Sequence, residues 1–102
     1  MKAVLLLVTY QMKAGMRDAF LQEITRAGIL EKIRQERGCL RYAYFRDAED
    51  PNSLLLIEKW ESPALQQAHM AQPHMEKLKE IKSRFVEQTI VEQILTEGES
   101  EK

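Results

Sequence analysis

A chain of 102 residues, 44% hydrophobic and 30% charged, supports one domain. Such a chain buries roughly 65% of its unfolded surface, enough for one modest core but not for a core plus a deep private cavity. Fifteen Lys and Arg against sixteen Asp and Glu give a net charge of −1, without the basic excess that a nucleic-acid binder needs to displace counterions from phosphate.

Cys39 is the only cysteine, which excludes an internal disulfide, and two His with one Cys fall short of the four ligands of a structural zinc site. The apolar run at the N-terminus, Met1 to Val8, is too short to span a membrane, and no small-residue cleavage site follows it. A soluble, cytoplasmic protein with no membrane partner is expected.

In chain order, Ala3 to Val8 with Thr9 and Tyr10 behind it reads as a strand covered on both faces, because the apolar run is unbroken and partly β-branched. Gly15 opens a long helical stretch in which Met16, Phe20, Ile24, Ala27, Leu30 and Ile33 recur at spacings of three and four; Gly38 ends it as a C-cap glycine would. Gly28 inside this stretch is expected to be tolerated at a cost of about 1 kcal/mol, with a kink or close backbone packing as the alternative. Cys39 to Arg46, the turn signal Asp47-Ala48-Glu49-Asp50-Pro51-Asn52 and the run Ser53 to Glu61 predict an antiparallel pair of strands.

Ser62-Pro63 is a helix start, with Ser as N-cap and Pro at the first helical position. This short helix ends before Pro73, and a second piece runs from His74 to about Lys82. A last strand lies within Arg84 to Thr96 and includes Phe85. The order is βαββαβ, an α+β, ferredoxin-like arrangement with one antiparallel four-stranded sheet and helices on one face. Residues 2–96 form this single domain, and 97–102 are expected to be a disordered polar tail.

With helices on one face only, every strand should alternate apolar and polar residues. Instead Leu54 and Leu56 oppose Leu55 and Ile57, and Ile90 and Ile94 oppose Val91 and Leu95. An apolar second face exceeds what monomers expose, so a homodimer packed sheet to sheet is predicted.

Trp60, the only tryptophan, ends the third strand with Glu58 on its own face, and the short helix after it carries His69 four residues beyond Leu65. Trp60 serves as a core aromatic at the strand-to-helix corner, as a pocket wall, or both. His69 is a general base, a haem ligand or a satisfied polar residue at a helix edge. His74 reads as a helix N-terminal residue. Tyr10, Tyr42 and Tyr44 lie on strands, where they line a pocket for a flat ring or fill the core.

The run Glu36-Arg37-Gly38-Cys39-Leu40-Arg41-Tyr42, then Asp50-Pro51-Asn52, then Glu58-Lys59-Trp60-Glu61-Ser62-Pro63-Ala64-Leu65 with His69 and Pro73-His74, resembles the antibiotic biosynthesis monooxygenase domain, including its quinol monooxygenase branch. The resemblance covers nearly the whole chain and implies a dimeric α+β barrel and oxygen chemistry without metal or flavin. The substrate it implies is a small aromatic (a quinol, polyphenol or anthrone) that reacts with O₂ once deprotonated. His69 would then take the phenolic proton, Trp60 and Tyr44 would wall the ring, and Glu58 would orient a partner or a water or stand as an ordinary strand-end carboxylate.

Haem-degrading relatives share the fold, but their pattern has an asparagine on the first strand, where Lys2 to Tyr10 has none. Isomerases of quorum-signal phosphates need basic residues at the pocket mouth, a part open to Arg41 and Arg46. A haem-binding or small-ligand module without turnover, and a signal-molecule isomerase, are therefore the alternatives to the monooxygenase.

Overall fold

In a computed structural model, residues 2–96 are described; the expected tail 97–102 lies outside the described residues. The elements are β1 (Ala3–Met12), α1 (Arg17–Arg26), α2 (Ile29–Arg34), β2 (Cys39–Arg46), β3 (Ser53–Trp60), α3 (Pro63–Met70), α4 (His74–Phe85) and β4 (Val86–Thr96). The sheet order is β2-β3-β1-β4 and all neighbours are antiparallel, which is the ferredoxin-like α+β arrangement.

The first crossover is two helices rather than the single helix expected. Gly28 adopts φ +70°, a left-handed conformation that a helix cannot continue through, and α2 restarts at Ile29. Met16, read as the first member of the helix stripe, precedes α1 and is 40% exposed. Gly38 is not the C-cap either, since α2 ends at Arg34 with Gln35 capping it. In the second crossover Ser62 Oγ accepts from the Leu65 N–H at 3.2 Å, and α3 stops short of Pro73. α4 runs to Phe85 rather than to Lys82. Leu78, Ile81 and Phe85 continue its inner face, and the Phe85 ring meets Phe20 edge-on at 6.2 Å.

β1 carries Val4, Leu6, Val8, Tyr10 and Met12 on the helix side, where they pack with Phe20, Ile24, Ile29, Ile33, Leu78 and Ile81. Each such buried aliphatic side chain contributes about 1.5–3 kcal/mol. The other face is apolar as well: Leu5 pairs with Ile94, Thr9 with Leu55 and Ile90, and Leu7 with Ile57. Ile90 and Ile94 stand 51% and 46% exposed there. Val91 and Leu95 project to the helix side, beyond the helices, and are also more than half exposed.

The β2–β3 hairpin is pinned by Arg17, whose Nη1 donates to the carbonyls of Asp50 and Ser53 at 3.0 and 3.1 Å. Asp47 Oδ1 accepts from the backbone N–H of Glu49 and Asp50, which holds its carboxyl below the usual range.

Gly38 sets the approach of α3. Its φ is +85°, its carbonyl accepts from the Glu61 N–H at 2.8 Å, and a Cβ there would lie 2.5 Å from Leu65 Cδ1 and 2.9 Å from Leu65 Cβ. The latter atom is fixed to the helix and cannot swing away.

Gly38→Ala is expected to lower the unfolding free energy by about 2–4 kcal/mol, from backbone strain plus the clash. Gly28→Ala, with a similar φ but open space around it, should lose only about 1–2 kcal/mol. Urea denaturation checks the pair, and equal losses would mean that the Leu65 contact contributes nothing.

Candidate functional site

Trp60 and Glu58 are two apart on β3 and therefore point to the same, helix-covered face. Trp60 is fully buried, and its Nε1–H donates to Glu58 Oε1 at 3.0 Å. His69 occupies the inner face of α3 and is 1% exposed. Its ring lies on the Trp60 ring, with centroids 4.4 Å apart and planes tilted by 31°. The structure thus brings Trp60, Glu58 and His69 together.

Tyr44 is not part of that contact. Across the β2–β3 ladder Tyr42 stands opposite Glu58 and Tyr44 opposite Leu56, one step further along the same face. It is Tyr42 that meets His69, edge-on at 5.8 Å, while Tyr44 packs against Tyr10, Phe20 and Tyr42. The Tyr44 hydroxyl is buried beside Tyr42. Burial pushes the phenols of Tyr10, Tyr42 and Tyr44 above their ordinary range, so they stay neutral and can act as donors but not as bases.

Glu36, which lies in the loop between α2 and β2, completes the site. Its side chain is 7% exposed, and its two oxygens lie 3.0 and 3.1 Å from His69 Nδ1. Oε2 also accepts from His74 Nε2 at the start of α4. The other ring nitrogen of His69, Nε2, is 3.9 Å from Glu58 Oε1, too far for a hydrogen bond. Sequence reasoning gives Glu36 no role, and it places Tyr42 among the strand tyrosines that line a pocket or fill the core while naming Tyr44 as the ring wall. Glu36 opens the E-R-G-C-L run but lies in a loop with no period to aim it, and the choice of Tyr42 over Tyr44 depends on the strand register.

Burial raises the Glu58 carboxyl above its usual range, against the Trp60 N–H and the His69 ring, which favour its charged form. Burial likewise lowers the Lys82 ammonium, which Glu58 partly offsets; its Nζ lies 5.0 Å over the Tyr10 ring. Lys82 also lines a cavity of about 200 Å³ between α3 and α4, with Met70, Met75 and Leu78. Arg46 pairs with Asp18, and Arg41 covers the Phe45 ring, so neither is drawn to His69. Burial raises the Cys39 thiol, which disfavours the thiolate a nucleophile needs.

Because the native state holds the Glu58 proton more tightly than the unfolded chain does, Glu58 subtracts stability as pH rises from the ordinary carboxylate range through its raised value. Urea midpoints of wild type and Glu58→Gln between about pH 4 and 7 should therefore diverge in favour of the variant, which cannot ionise. A difference that does not change with pH would refute the assignment.

A family model described as antibiotic biosynthesis monooxygenase matches residues 3–81. The Probable quinol monooxygenase YgiN of Escherichia coli is 34% identical over 83 aligned residues, covering 72% of this chain and 78% of that protein. Among solved structures, PA3566 from Pseudomonas aeruginosa superposes with a TM-score of 0.81 at 22% identity, covering 96% of this chain and 97% of that one. SO0527 from Shewanella oneidensis gives 0.82 at 21% identity, covering 93% and 91%. A structure described as antibiotic biosynthesis monooxygenase gives 0.74 at 27% identity, covering 95% and 99%. The match to the family model over residues 3–81, together with the 34% identity to the Escherichia coli protein over 72% of this chain, makes this chain a member of the antibiotic biosynthesis monooxygenase family.

Proposed function

We propose that the chain is a cofactor-independent monooxygenase acting on a quinol, polyphenol or anthrone-like aromatic with O₂. The observation that carries this reading is His69, an imidazole buried against Trp60 with one ring nitrogen held by a carboxylate and the other without a hydrogen bond among the described residues. Such a ring accepts a phenolic proton; the phenolate then reduces O₂, and the resulting radicals recombine at carbon. The substrate supplies all the electrons: a quinol plus O₂ becomes a hydroxyquinone plus water, one oxygen atom entering carbon and the other leaving as water. The protein binds, orients and deprotonates.

In this reading Trp60 and Tyr44 bound the ring site, and Glu58 orients the substrate or a water. His69 is enclosed in the present state, so the substrate reaches Nε2 by a local displacement on the Glu58 and Trp60 side, with the Glu36 contact between α3 and α4 left in place. The haem-module alternative has no observation of its own in its favour, because the enclosure of the His69 ring against Trp60 bears on an iron and on a substrate alike. The isomerase alternative loses support because Arg41 and Arg46 are engaged elsewhere.

The reading includes a homodimer closed over the helix-free face of Leu5, Leu7, Leu55, Ile57, Ile90 and Ile94, since leaving that apolar surface in water is unfavourable. The small aromatic substrate and O₂ are the partners, and the cytoplasm, where such substrates meet a soluble enzyme, is the proposed location.

Oxygen consumption over a panel of hydroquinones and anthrones should proceed without added metal or flavin, and His69→Ala should slow it by about 10²-fold or more. Undiminished turnover by the variant would overturn the role of His69. Sedimentation equilibrium at low micromolar concentration should return the dimer mass, and Ile57→Glu, which puts a charge in the centre of the proposed interface, should return the monomer. A wild-type monomer would overturn the dimer.

A further inference from the structure

We propose that Glu36 and His74 are positioning residues for His69: the Glu36 carboxylate holds the imidazole proton on Nδ1, which leaves Nε2 as the basic atom, and His74 steadies that carboxylate. The part concerning proton abstraction rests on the monooxygenase reading, whereas the tautomer assignment does not.

A carboxylate accepts hydrogen bonds and an imidazole nitrogen does either, so the partner decides the ring's protonation pattern. Both Glu36 oxygens are within 3.1 Å of Nδ1, and among the described residues no other side chain hydrogen-bonds that atom. The proton therefore sits on Nδ1, and the lone pair on Nε2 points to the side where Glu58 and Trp60 stand. In the opposite tautomer Nε2 would carry a hydrogen and could not take one from a substrate. A carboxylate held by a single donor can swivel about its last torsion. Here Oε2 is also bound by His74 Nε2, from a different helix, so the plane of the carboxylate is fixed by donors on two elements.

The side chain of His74 is 13% exposed and that of Glu36 is 7% exposed, so the pair forms an interior contact and not a surface ion pair of negligible value. Neither residue touches the space beyond Nε2, and both act through His69. Gly38, two residues after Glu36, allows α3 close enough for this contact by leaving room for Leu65, one helical turn before His69.

The test uses the full chain with ¹⁵N-labelled histidine at about pH 8, above the ordinary histidine range. Long-range ¹H–¹⁵N correlation spectra should show His69 with a protonated Nδ1 and a bare Nε2. Glu36→Gln should shift the ring toward the other tautomer or a mixture, with native circular dichroism. His74→Ala should broaden or partly shift the same signals, and His74→Gln, whose amide N–H can still donate to Glu36, should restore them. With a responsive quinol, Glu36→Gln should lower kcat by about 10²-fold with little change in KM, since it disturbs the base and not the binding surface.

A wild-type His69 protonated on Nε2 overturns the proposal without recourse to any variant, and so does an Nδ1-protonated ring that Glu36→Gln leaves unaltered. A wild-type protein that holds the Nδ1 tautomer through Glu36 yet oxidises no quinol supports the positioning role and sinks the monooxygenase reading, so the two failures are separable.

Discussion

Taking the Glu36 carboxylate out of water costs several kcal/mol unless donors replace the hydration it loses. The donors come from two helices that are separate in the fold: His69 from α3 and His74 from the first residue of α4. Satisfying one anion therefore fixes the α2–β2 loop, the inner face of α3 and the start of α4 relative to one another. Trp60, Glu58 and Tyr42 extend the same contact network onto the sheet, through the ring stack on His69 and the ladder between β2 and β3. Local polar satisfaction and global packing support each other here, which is the consistency expected of a sequence that specifies one structure.

How much of this could be read beforehand follows from which features have a period. Strand alternation put Glu58 and Trp60 on one face, and the four-residue step from Leu65 put His69 on the inner side of its helix; both hold. Ser62 and Pro63 marked the start of α3 by side-chain chemistry that needs no tertiary information. Gly28 was harder, because its cost as a helical residue and its value as a left-handed hinge are both compatible with one glycine in an amphipathic run. The apolar series that predicts the last strand begins at Phe85, yet Phe85 completes the inner face of α4. Glu36 lies in a loop, where no repeat aims a side chain. Tyr42 and Tyr44 share a face, and only the register, which shifts between Cys39 and Arg41, decides which of them meets His69.

The sheet's second face adds a distinction that alternation alone did not provide. Leu5, Leu7, Leu55 and Ile57 lie on the central strands, whereas Ile90, Ile94, Val91 and Leu95 belong to β4, which is an edge. The first group, with Ile90 and Ile94, is what sheet-to-sheet packing would cover. Val91 and Leu95 face the helix side beyond the reach of the helices, and flat packing against the opposite face leaves them in water. An apolar edge strand is a hazard that proteins manage by covering it. Any assembly of this chain that buries only the helix-free face is thus incomplete at β4.

Pro73 interrupts the second crossover between the two histidines. They are five positions apart, and on an unbroken helix that spacing would set them about 140° around the axis from each other. Side chains so directed diverge, and no single carboxylate could bind both. By ending one helix and starting another in a new direction, the break turns two diverging imidazoles into converging ones. A residue usually counted as a flaw in a helix therefore sets the angular geometry of the buried cluster through the backbone it shares with His74, with no side-chain hydrogen bond of its own.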